Sequence, residues 1–143
     1  MKEGFIDYLK SIGITEILQK RIATIYEYFE KMCPEEITDI FVTDYIKDDA
    51  SREYESLWFL SERYLMEAKR FVADDDFDML NFKEKVAYWN IKSQDYDFKK
   101  ATEKSRLHID VVFLRGVSGV FKAARENCDY LMKIILKDII PNI

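Results

Sequence analysis

His108 is the only histidine in the chain, so acid–base chemistry near neutral pH would run through it or through a carboxylate displaced from its usual range. Residues 107, 109, 111 and 113 are all apolar, which at the two-residue period of a strand puts His108 on the other face, beside Asp110. A hydrolase would need a serine or cysteine nucleophile in a strained turn next to that pair, and none flanks it. No catalytic residue is assigned.

Metal chemistry fares no better. One histidine with the distant Cys33 and Cys128 does not make a tetrahedral zinc set, so no metal site and no cofactor are expected. Asp74, Asp76 and Asp78 have the spacing of the first calcium ligands in a helix–loop–helix. Met79 then stands where that loop needs glycine, and Lys85 where it needs a bidentate glutamate, so the stretch reads as a solvated acidic turn. Gly116 and Gly119 enclose two residues in the G-x-x-G manner of a nucleic-acid clamp, but they follow a β-branched strand and have no basic residue between them; a hairpin turn is expected. No phosphate-cradling glycine loop is present in the sequence.

The densest basic cluster is Lys99, Lys100, Lys104 and Arg106. In a loop at one end of a sheet, these four would form an anion-binding patch for a phosphate or an acidic lipid surface. The charge distribution gives that reading local room only. The net charge is −5, yet residues 83–143 carry twelve basic and eight acidic side chains, while the first 46 carry five and nine. An acidic first half argues against nucleic acid as a partner.

These residues must be positioned by some framework, and the spacing of apolar side chains predicts one. A chain of 143 residues, 48% hydrophobic with two prolines and four glycines, suits one ordered unit. Phe5, Leu9 and Ile12 predict a short helix stopped at Gly13; Thr15 caps a longer one ending before Pro34. Leu18, Ile22, Ile25 and Phe29 form the apolar stripe of the longer helix, a candidate face for a partner helix or a second copy of the chain. The period then changes to two. Strands are expected at 37–46, 57–60, 64–71, 79–82, 85–92, 107–114 and 120–122, with a polar loop at 47–56 and a tight turn at 61–63. One amphipathic helix over 123–140 closes the chain, its inward stripe being Ala124, Cys128, Leu131, Ile135 and Ile139. With no apolar run near the length of a membrane span and no signal segment, a cytoplasmic setting with two buried free thiols is expected.

The order of helical segment (1–34), about seven strands and terminal helix (35–143) resembles the pleckstrin-homology-like (PH-like) fold, most of all its small bacterial members. Residues 56–66 (SLWFLSERYLM) are similar to a strand–turn–strand of that family, 86–91 (VAYWNI) to a later strand and 127–135 (NCDYLMKII) to its capping helix. The resemblance implies an α+β protein: an antiparallel open barrel of about seven strands, capped by the last helix, serving as a binding scaffold without catalytic residues. The likeness departs in two places. The terminal helix has no tryptophan, and the first hairpin carries Asp48, Asp49, Glu53 and Glu55 against Lys47 and Arg52, which opposes phosphoinositide binding there. The expected role is a non-enzymatic interaction module, with a protein partner or a second copy. Anionic-ligand or peripheral membrane binding through residues 99–106 is the alternative. A small-molecule binder or enzyme on a nuclear-transport-factor-2-like cone is a third option, disfavoured by the terminal helix.

Overall fold

The computed structural model describes residues 1–48, 51–73, 85–114, 116 and 118–139. Helix α1 (Glu3–Ser11) and helix α2 (Glu16–Met32) form where the spacing predicts them. Gly13 takes a left-handed φ of 81°, its N–H donates to the Lys10 carbonyl and the Ile14 N–H to that of Leu9, each at 3.0 Å. This pair of bonds satisfies carbonyls that the end of α1 would leave bare. Thr15 then caps α2, its hydroxyl accepting from the Leu18 N–H at 3.3 Å.

Among the described residues, two antiparallel sheets of three strands follow. The first comprises β1 (Asp39–Lys47), β2 (Ser51–Leu60) and β3 (Leu65–Lys69), in that order. The second comprises β4 (Val86–Gln94), β5 (Arg106–Phe113) and β6 (Ser118–Ala124). Among the described residues the strands form two three-stranded sheets and a seven-strand barrel is not shown; the strand expected at 79–82 and the acidic turn at 74–78 lie outside the described residues. The polar loop expected at 47–56 is corrected. Ser51 pairs with Lys47 and Arg52 with Ile46, so most of that segment is strand. A β-bulge interrupts the pairing: Glu55 and Ser56 together oppose Thr43, whose hydroxyl accepts the Ser56 N–H at 2.8 Å.

The first sheet is covered on both faces, which is why Leu57–Leu60 reads as an unbroken apolar run rather than an alternation. On one face Phe59 meets Phe29 and Tyr26 of α2 edge-on, at 5.2 and 5.6 Å between centroids. On the other, Trp58 packs on Phe121 of β6 at 4.6 Å. Burying side chains of this size contributes roughly 1.5–3 kcal/mol each. Ile22, Ile25 and Phe29 thus lie in the core and Leu18 packs partly against it. The expected partner-binding stripe of α2 is corrected accordingly: it covers the protein's own sheet.

The closing helix begins later than its apolar pattern predicts. Ala123 and Ala124 end β6, Arg125 adopts a left-handed φ of 56°, and α3 runs over Asn127–Ile134 before widening into a π-helical turn at Ile135–Ile139. α3 packs over the edge where β1 passes β6. No backbone ladder joins those two strands; side chains do. Asp44 Oδ1 accepts from the Ala124 N–H at 3.0 Å and from Asn127 Nδ2 at 2.8 Å, while Asp44 Oδ2 accepts from Arg52 Nε at 2.6 Å. Asn127 Nδ2 also donates to the Val42 carbonyl, and the Tyr8 hydroxyl of α1 donates to Asn127 Oδ1, both at 2.8 Å. Burial pushes the Asp44 carboxyl above its usual range, against the opposing pull of Arg52 and the other donors.

Candidate functional site

β5 is the middle strand of the second sheet, and its side chains alternate strictly between buried and half-buried. Leu107, Ile109, Val111 and Phe113 face the core; Arg106, His108, Asp110 and Val112 face outward. Register places Lys92 of β4 and Lys122 of β6 directly opposite His108, one on each side. Register thus gathers two lysines around His108 in one row on the outward face of one sheet. Compensation within the row is partial. His108 Nε2 lies 2.9 Å from Asp110, as the sequence spacing predicts, and Lys122 Nζ lies 3.4 Å from Glu55. Lys92 has no acidic partner among the described residues.

Where this row meets the end of β1 there is a groove of about 240 Å³. Asp44 and Tyr45 of β1 line it together with Lys92, Arg106, His108 and Lys122 of the second sheet. Asp44 is buried and already bonded to Arg52, Asn127 and Ala124, so it contributes little free negative charge. Tyr45 is 41% exposed and adds an aromatic side chain to the lining. Arg106 is held by its own loop: Nη1 donates to the Glu103 and Ser105 carbonyls at 2.9 and 2.8 Å. Those carbonyls fix the guanidinium without neutralising it.

Of the four basic residues expected to act together, only Arg106 lines this groove. Lys99, Lys100 and Lys104 are exposed on the loop leading to β5. That loop is ordered by carboxylates. The Lys99 and Lys100 N–H groups donate to Asp97 Oδ1 at 2.9 and 3.1 Å, which holds the Asp97 carboxyl below its usual range. Asp129 of α3 accepts from the Tyr96 hydroxyl at 2.6 Å and from the Ala101 N–H at 3.0 Å. Sequence reasoning missed Tyr45, Lys92 and Lys122: strand register brings the two lysines to His108, and the packing of β1 against β6 brings Tyr45 to the groove.

A second cleft of about 340 Å³ opens between the β2 bulge and β6, lined by Thr43, Ser56, Glu67, Ser118 and Lys122 among others. Thr43 is engaged in holding the bulge, and Lys122 is common to both clefts. Among the described residues no group of three histidine, cysteine or acidic side chains comes together as a metal site. No described helix is long and apolar enough to cross a membrane. Cys33 and Cys128 are both unpaired; Cys128 is buried, as expected, whereas Cys33 is partly exposed. No family model matches the chain, and no curated protein or solved structure matches it.

Proposed function

We propose that this protein is a non-enzymatic binding module whose ligand is an anion seated between Tyr45 and the outer face of the second sheet. One observation carries the reading: Lys92, His108 and Lys122 stand in a single cross-strand row beside Arg106, with Asp110 and Glu55 as partial counter-charges. Two lysines and an arginine gathered at one groove fit a surface that attracts an anion. We take the scaffold to be PH-like; two small antiparallel sheets with a terminal helix over their shared edge support that assignment. A reducing, cytoplasmic setting fits the two unpaired cysteines.

The test is amide chemical-shift mapping with benzoate and sulfate at low and high salt. Shifts should centre on β4–β6 and the end of β1, and fade as ionic strength rises. Lys92→Glu with Lys122→Glu should abolish them, while Lys99→Glu with Lys100→Glu should leave them in place. Shifts confined to residues 98–105, or unaltered by reversing Lys92 and Lys122, would refute the reading.

A second reading, contact with a protein partner or another copy, rests on the other end of the same sheet face. Tyr88 is 64% exposed opposite Val112, and Val120 is 44% exposed. Light scattering should then show a mass above the monomer that Tyr88→Ser lowers. A monomer at every concentration removes the self-association form of this idea.

A further inference from the structure

We infer that the anion held in this groove is a phosphomonoester dianion carried on a planar, apolar body. The inference rests on the binding reading above and narrows its ligand. Charge decides the first half. Lys122 shares Glu55, His108 shares Asp110, and Asp44 is bonded internally; Lys92 and Arg106 have no acidic partner among the described residues. Two uncompensated cations, with Lys122 beside them, match a group of charge about −2 at neutral pH better than a carboxylate. Donor number agrees. A preset guanidinium and two ammonium groups from different strands can meet several oxygens of a tetrahedral anion, whereas a carboxylate offers only two.

The Tyr45 ring decides the second half. It lines the same groove as the cations and is 41% exposed, so an ester body next to the bound oxygens has an aromatic ring to pack on. A volume of about 240 Å³ has room for a phosphate with one ring. The loop makes the site selective, because the Glu103 and Ser105 carbonyls hold Arg106 before any ligand arrives.

Calorimetric titration with phenyl phosphate and with benzoate tests the assignment on the full chain. Phenyl phosphate should bind saturably and at least about tenfold more tightly than benzoate. Arg106→Ala and Lys92→Ala should each weaken phenyl phosphate by about tenfold, with unchanged circular dichroism, and Lys100→Ala should not. If both compounds bind alike and both are lost in the Arg106 and Lys92 variants, the anion reading stands and the phosphomonoester assignment falls. If neither binds saturably, both fall. Vesicles with and without phosphatidic acid separate the two sources of this chemistry. Sedimentation that phenyl phosphate competes away assigns a lipid headgroup, and its absence alongside tight phenyl phosphate binding assigns a soluble ester.

Discussion

Asp44 is 1% exposed, and three donors from three elements converge on its two oxygens. Removing it leaves the Arg52 guanidinium, itself largely buried, with Glu126 as its remaining acid at 2.6 Å. Breaking a buried pair from one side costs about 3–5 kcal/mol, so Asp44→Ala should lower the unfolding free energy toward the smaller of those values. Asp44→Asn, which keeps one acceptor, should cost less, about 1–3 kcal/mol. Urea midpoints of the two variants check this, and an Asp44→Ala protein as stable as the parent would contradict it. Nothing in the residues around position 44 marks this role, because all its partners except Arg52 come from 80 or more positions away. His108 and Asp110 were legible for the opposite reason: strand alternation is a local signal, and both lie within one strand.

At the scale of elements, the parts that could be read were those with local punctuation. Gly13, Thr15 and Pro34 delimit both N-terminal helices within a few residues of themselves. Segment 51–56 has no such cue. Its polar side chains look like loop, and it becomes strand because β1 supplies backbone partners while Arg52 reaches Asp44 and Glu126. Ala123 and Ala124 were misread toward helix since alanine suits helices well. Pairing with Leu107 and Arg106 overrides that preference. Of the groove's basic residues only Arg106 and His108 were singled out in the sequence, because a row across three strands is not visible there. The second sheet's inner face was predictable from β5; its neighbours' register was not.

Across the whole molecule, six buried or half-buried acids of high intrinsic pKa share one displacement. Burial pushes the Tyr26 phenol and the Cys128 thiol up to about 12, and raises Tyr8, Tyr54, Tyr96 and Tyr130 as well. The folded chain therefore holds these protons more tightly than the unfolded one. Their contribution to stability is complete below the unfolded values, about 8.5 for a thiol and 10 for a phenol, and is lost as pH climbs from there toward the folded values. Thermal midpoints should hold steady on their account up to about pH 8 and then fall steeply above about pH 10. An unchanged midpoint across that alkaline interval would show that these rings are not held as described. The join between the two sheets depends on something smaller still. Counting back along β2 without its extra residue, Glu55 would stand across from Asp44, and Arg52 would turn to the far side opposite Lys47. A single inserted position thus sets the phase of the hairpin, and that phase selects whether a buried anion finds a cation or a second anion.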